Sequence, residues 1–116
     1  MVGPVGCGLC GVDSIAAALP LVVPVASDWT MPPGDVARAM AALDAGQSLR
    51  RQTPAIHGAA FWDGATATVR EDVGRHNALD KLAGALARDV VDAGQGAIVM
   101  SSRLSVDLVQ KAARIG

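Results

Sequence analysis

The chain has 116 residues, a formal net charge of −1 and a pI near 6.0, the length of one domain able to bury its own core. Ten Lys and Arg against eleven Asp and Glu leave no general basic field, which excludes a non-specific nucleic-acid binder. Half of the residues are hydrophobic, yet there is only one Phe and two Trp, so Ala, Val and Leu do the packing, which suits α/β layers with close helix–sheet approach.

The first chemical feature is the pair Cys7 and Cys10, separated by two residues. Two cysteines so close do not make a disulfide framework. A zinc site would need His57 and His76, 19 residues apart, as its other ligands; no compact zinc pattern has that spacing, and no zinc is expected. A redox CxxC usually follows a strand of a thioredoxin-like unit, for which only residues 2–5 are available. A nucleophilic thiol and an incidental exposed pair both stay open. Gly6, Gly8 and Gly11 free the backbone to expose the sulfurs. A short helix over 15–19, capped by Asp13 or Ser14, would place them before its N-terminus, where a thiol pKa falls. Residues 14–26 are apolar, but Pro20 and Pro24 interrupt them and the run is too short to span a bilayer. No basic segment with a small-residue cleavage site precedes them, so they are not a signal peptide. A soluble, cytoplasmic protein is the expectation.

Residues 22–33 carry Pro24, Pro32, Pro33 and the turn-forming Ser27-Asp28, and read as a loop. Residues 35–49 read as a helix started by Pro32-Pro33, with Val36, Met40, Leu43 and Gln47 as the core stripe. Arg50 and Arg51 suit its C-terminal end. Residues 52–58 are irregular, and His57 is their one chemically suggestive side chain; its bland reading is a His hydrogen-bonded at the mouth of a strand. Short strands over 59–62 and 65–69 flank Asp63-Gly64, a two-residue hairpin signal.

The run Arg70-Glu71-Asp72-Val73-Gly74-Arg75-His76-Asn77 ends the second strand, turns at a Gly hinge and opens a helix. Asn77 is its N-cap, with Asp80 completing a capping-box-like pair. That helix covers 78–93, with Leu79, Leu82, Leu86 and Val90 inward, Lys81, Arg88, Asp89 and Asp92 outward, and Gly94 as the C′ residue. Residues 97–100 are an unbroken apolar run, hence a central buried strand. It ends in Ser101-Ser102-Arg103, before a helix over 105–115 with Val106, Val109 and Ala113 inward. The order is α-β-β-α-β-α. Both strand-to-helix junctions bring cations to a helix N-terminus, where free N–H groups favour an anion. In a mainly parallel sheet such junctions share one edge. Arg70, Arg75 and Arg103 are therefore predicted to converge on a pocket for a phosphorylated ligand, with Asp72 and Asp80 holding Arg75 or capping the helix.

Four motifs stand in order: Cys7-Gly8-Leu9-Cys10-Gly11, His57-Gly58-Ala59, the run from Arg70 to Lys81, and Ser101-Ser102-Arg103-Leu104-Ser105 with Val109-Gln110-Lys111-Ala112-Ala113. On these the chain resembles the formate dehydrogenase accessory sulfurtransferases (the FdhD family), residues 12–48 being the least diagnostic. The resemblance implies an α/β fold, a three-layer α/β/α arrangement with a mixed sheet of cytidine-deaminase-like type. It implies one domain over 1–116, with a CxxC loop region and linker over 1–33 and the core over 34–116. It also implies a sulfur carrier that accepts persulfide sulfur from a cysteine desulfurase. The sulfur passes to the molybdenum of a bis(molybdopterin guanine dinucleotide) cofactor, bound as substrate, on its way to formate dehydrogenase. Cys7 is then the persulfide candidate, with Cys10 assisting or resolving. His57, Arg70, Glu71, Asp72, Arg75, His76, Asn77, Ser101, Arg103 and Ser105 would form the cofactor's guanine-nucleotide-type site, in a homodimer.

Deamination is excluded by the same comparison. Zinc deaminases need His-x-Glu followed downstream by Pro-Cys-x-x-Cys, whereas His57-Gly58-Ala59 has no Glu and the CxxC lies upstream. Two departures stand out. Thr53-Pro54-Ala55-Ile56 replaces the family's Thr-Gly-Gly ahead of His57, and Pro54 removes an N–H. Ser102 replaces the usual Gly and adds a Cβ where a ligand would approach the backbone. Family members extend further at both ends, so the chain reads as a fragment lacking the N-terminal region and the C-terminal end. Two rivals stand beside the carrier: a non-catalytic guanine-nucleotide-binding fragment, and a dithiol redox protein using Cys7–Cys10 as a reversible disulfide.

Overall fold

The computed structural model of the chain describes residues 13–18 and 24–116. Cys7, Cys10, the glycines around them and the possible strand over 2–5 lie outside these residues. Helix α1 spans Ile15–Ala18; the Ser14 hydroxyl accepts the Ala17 N–H at 3.1 Å, so Ser14 rather than Asp13 supplies the cap. Residues 24–32 form neither helix nor strand, as their prolines dictate.

Helix α2, Pro33–Gly46, starts on a proline whose fixed φ suits the first helical position. Its buried row is Asp35, Ala39 and Leu43, continued by Gln47 just past the helix end, while the expected Val36 and Met40 are exposed. The stripe is rotated because small residues set how closely the helix approaches the sheet. Ala39 is fully buried, and a Cβ added to Gly46 would fall 2.5 Å from Cγ2 of Val69. Asp35 tolerates burial beside Arg38, which pairs with it and also lies 6.0 Å above the Trp62 ring.

Strands β1, His57–Trp62, and β2, Ala67–Asp72, pair antiparallel from His57↔Asp72 to Trp62↔Ala67. The turn between them is longer than the Asp-Gly signal implied. The Asp63 carboxylate accepts the N–H groups of Ala65 and Thr66 at 2.8 and 2.7 Å and the Thr66 hydroxyl at 2.8 Å. Gly64 takes a φ of 102°, open to glycine at little cost. Strand β3, Ala97–Met100, pairs antiparallel with β1, and the order is β2-β1-β3. Among the described residues the sheet is therefore antiparallel throughout, not mixed or mainly parallel. β3 is a half-buried edge strand, and the central buried strand is β1. A short turn forces β2 to run against β1; the helical crossover that follows carries the chain past β1, so β3 runs parallel to β2 without touching it.

Helix α3, Arg75–Arg88, begins earlier than expected and ends earlier too. Val90, expected in the core, has φ 54° and is 89% exposed. It takes the left-handed position after a helix end that glycine normally fills, while Gly94 lies in a single 3₁₀ turn, Ala93–Gln95. In helix α4, Val106–Ala113, the buried residue is Leu108, while Val106 and Val109 are exposed. Asp107 and Lys111 turn toward His76 and Asp80 of α3, and these pairs set the rotation. Ala59 and Phe61 of β1 pack with Ala78, Leu79, Leu82 and Leu86 of α3 and with Leu108. On the other face of β1, a Cβ added to Gly58 would lie 2.6 Å from Gln47 and 2.9 Å from Leu43 of α2. Among the described residues no helix is long and apolar enough to cross a membrane.

Candidate functional site

Because β2 and β3 both run against β1, their carboxyl ends meet at its beginning: Asp72 lies opposite His57, and Met100 opposite Ala59. The two strand-to-helix junctions thus come together, by an antiparallel route. Ser101 extends the pairing beyond β3. Its N–H donates to the Gly58 carbonyl at 3.0 Å, and its hydroxyl accepts the Gly58 N–H at 2.8 Å. Ser101 holds the first strand of the site, next to His57, which is half-buried as the opening residue of β1.

The β2–α3 junction is closed by its own carboxylates. Asp72 takes the Lys81 ammonium at 2.5 Å, the Gly74 N–H at 2.9 Å and the Asn77 amide at 3.3 Å. Led by Lys81, these donors hold its pKa at about 2. Asn77 is therefore the third helical residue, a donor to Asp72 and not the N-cap, which is Gly74. Asp80 reaches Lys111 of α4 at 2.9 Å and closes no capping box. Glu71 clasps the turn after α2, accepting the N–H groups of Leu49 and Arg50, each at 2.9 Å. Burial raises its pKa, but those hydrogen bonds outweigh it and hold the carboxyl below its usual range. Arg70 sits within β2 opposite Ala59, its guanidinium donating to the Val69 carbonyl at 2.7 Å.

Arg75 and His76 occupy the first two positions of α3, both half-buried. The His76 Nε2 pairs with Asp107 Oδ2, and the Ser105 hydroxyl donates to Asp107 Oδ1. Burial pushes the Asp107 carboxyl up, but the Ser105 and His76 hydrogen bonds prevail and lower its pKa. The relay Ser105–Asp107–His76 joins one junction to the other. It also corrects an expectation: the first turn of α4 already holds an anion, the carboxylate of Asp107, which satisfies the helix dipole there.

Of the predicted cations, Arg103 is exposed and makes no ion pair among the described residues. The Ser102 hydroxyl donates to the Arg103 carbonyl at 3.2 Å. Beside this loop a hollow of about 420 Å³ is lined by Leu104, Ser105, Val106, Val109 and Gln110. Asp107 and Lys81 join the cluster without having been predicted as site residues. An acid two residues after Ser105, in the first turn of a helix, was the available signal for Asp107. Lys81 reads as outward-facing, and it is, yet its reach folds back to Asp72. Gln47, placed on the inward stripe by its helical spacing, is 1% exposed and packs against Gly58.

Known proteins resemble this chain in sequence and in fold. The sequence model of the FdhD/NarQ family matches residues 1–116. The sulfur carrier protein FdhD of Agrobacterium fabrum is 50% identical over 120 residues, covering 100% of this chain and 44% of that protein. Its counterpart in Bordetella petrii is 48% identical over 118 residues, covering 100% of this chain and 42% of that protein. The chain thus spans less than half the length of these curated relatives. A solved structure described as a formate dehydrogenase accessory protein from Desulfotalea psychrophila superposes with a TM-score of 0.73 at 31% identity, over 82% of this chain and 41% of that one.

Proposed function

The chain belongs to the FdhD/NarQ family, and from that premise we propose that it works as a sulfur carrier in formate dehydrogenase maturation. The structural observation behind this reading is the meeting of two strand-to-helix junctions at one end of the sheet, joined by Ser105–Asp107–His76. A cofactor substrate carrying a guanine dinucleotide offers phosphates, and Arg75, His76 and Arg103 are the groups suited to meet them. The molybdenum of a bis(molybdopterin guanine dinucleotide) is the sulfur's destination in this scheme. His57, Arg70, Glu71, Asp72, Asn77, Ser101 and Ser105 serve chiefly by building the edges that hold those groups. α2 on one face of β1 and α3 with α4 on the other support the finer reading of a three-layer, cytidine-deaminase-like fold.

In the loading step, the Cys7 thiolate attacks the outer sulfur of a persulfide on a cysteine desulfurase. One S–S bond forms on Cys7, the donor's S–S bond breaks, and the donor leaves as a thiolate, with no net oxidation. In the delivery step Cys10 attacks Cys7 Sγ and expels the outer sulfur as sulfide. The resulting Cys7–Cys10 disulfide is then reset by a cellular thiol. The setting is the cytoplasm, the partners are a desulfurase and formate dehydrogenase, and the working unit is a homodimer. Zinc takes no part, and one tightly held zinc per chain in metal analysis would overturn that point.

Mass spectrometry after incubation with a desulfurase and cysteine tests the reading. A gain of one sulfur, lost in Cys7→Ser and partly kept in Cys10→Ser, is the expected result. A loss of two hydrogens on mild oxidation without sulfur gain would instead assign a dithiol redox protein. Nucleotide binding with neither change would leave a binding fragment.

A further inference from the structure

Two cross-links join α3 to α4, and they form a ladder. His76 and Asp80 lie one turn apart on α3; Asp107 and Lys111 lie one turn apart on α4, so both pairs face each other along one seam. The rungs are not alike. Asp80 and Lys111 are 58% and 33% exposed, while His76 and Asp107 are 19% and 31% exposed and sit in the first turns of their helices. The Ser105 hydroxyl engages one oxygen of Asp107, which fixes the carboxylate and aims the other oxygen at His76.

We propose that Asp107 is a positioning residue for His76: it captures the Nε2 edge of the imidazole across the two junctions and makes Nδ1 the nitrogen that meets a phosphorylated ligand. This rests on the ligand reading given above. A carboxylate is acceptor-only, so the ring nitrogen facing it carries a proton whether the ring is neutral or cationic. Nδ1 then donates to a phosphate oxygen in the cation, while in the neutral ring it can only accept, from a hydroxyl or N–H of the ligand. The negative charge of Asp107 sits where the N-terminus of α4 would otherwise draw an anion. A phosphate is therefore directed to the α3 side of the site, toward Arg75 and His76. The Asp80–Lys111 rung shares the seam but not this duty.

Ring-labelled histidine makes the inference testable, since the chain has only two His and His57 serves as reference. In ¹H–¹⁵N spectra the parent should show a His76 Nε2–H signal protected from exchange with water. Asp107→Ala should lose it, and Asp80→Ala should keep it. Calorimetry with guanosine diphosphate should show affinity falling about tenfold in Asp107→Ala, the scale of one charge-assisted hydrogen bond. It should be unchanged in Asp80→Ala, and His76→Ala should add no further loss on top of Asp107→Ala. Asp107→Asn, which keeps shape and one acceptor, gives an intermediate loss and stands in if Asp107→Ala does not fold. Absence of the protected signal in the folded parent, unchanged affinity in Asp107→Ala, or equal losses in Asp107→Ala and Asp80→Ala would each overturn the assignment. If the parent binds no nucleotide, the ligand reading falls, and the protected Nε2–H alone decides whether Asp107 positions the ring.

Discussion

The two junctions that meet at the start of β1 are built by opposite means. The β2–α3 junction is dense in charge, and most of that charge is engaged within the fold: Asp72 with Lys81, Gly74 and Asn77, and Glu71 with the turn after α2. Its helix is anchored by Ala78, Leu79, Leu82, Ala85 and Leu86. The β3–α4 junction is sparse. Ser101 is tied to Gly58, but Arg103 and Leu104 are exposed and α4 buries Leu108 alone. A rich polar motif is thus here mainly a scaffold, and the plainer segment is the one that presents a cation to solvent.

Removing the single anchor should break the contrast most forcefully. Leu108→Ala is expected to cost about 2–5 kcal/mol in urea unfolding, the range for emptying a buried leucine site. Amide exchange should rise in α4 well before α3. A loss below about 1 kcal/mol would mean that the cross-helix pairs, not Leu108, hold α4 in place.

Ligand binding sharpens the comparison next. Arg75→Ala should weaken guanosine diphosphate binding by about 1.5–3 kcal/mol, the range for a hydrogen bond to a charged group. Arg88→Ala, whose guanidinium pairs with Asp89 at the far end of α3, should leave it unchanged. Equal binding in parent and both variants would move the ligand away from the β2–α3 junction altogether.

The scaffold role of Asp72 carries a pH signature. Its carboxyl is lowered from 3.8 to about 2 in the fold, so its stabilisation is present above the unfolded value and disappears as pH falls through the folded one. Asp72→Asn should therefore be less stable than the parent at pH 7, with the gap closing as pH approaches about 2. Glu71, also lowered from 4.5, acts with the same sign. Urea titrations of the two proteins across this range give the answer; a gap that persists unchanged in acid would show that Asp72 acts through shape and not charge.

Much of the architecture was legible because local rules governed it. The element order, the strand ending in Arg70-Glu71-Asp72, the strand over 97–100 and the Leu79–Leu82–Leu86 face all follow from periodicity and turn chemistry. The misreadings share one physical origin, namely contacts between elements distant in sequence. Val36 and Met40 gave way to Asp35 and Ala39 because the close approach of α2 at Gly46 sets its rotation. Val106 and Val109 gave way to Leu108 because Asp107 and Lys111 lean on α3. Sheet direction escaped because parallel and antiparallel arrangements both bring these junctions to one edge. At the site, residue types were readable but assignments were not: Glu71 looks like a ligand group until Leu49 and Arg50 are seen to donate to it.

The smallest effect lies on the seam itself. Lys111 reaches both carboxylate oxygens of Asp80, at 2.9 and 3.0 Å, a geometry that invites assigning it a large share of the α3–α4 contact. Its surroundings argue against that. Asp80 is 58% exposed, so water and salt screen the pair, and fixing a long lysine side chain costs rotamer entropy. Lys111→Ala should lower stability by only about 0.2–1 kcal/mol, and less in high salt. It should leave the protected His76 Nε2–H in place, because that proton answers to Asp107 and Ser105 at the other rung. Should Lys111→Ala instead match Leu108→Ala in unfolding, the second junction would be held electrostatically after all. The contrast between a charged scaffold and a sparsely anchored presenting edge would then reverse.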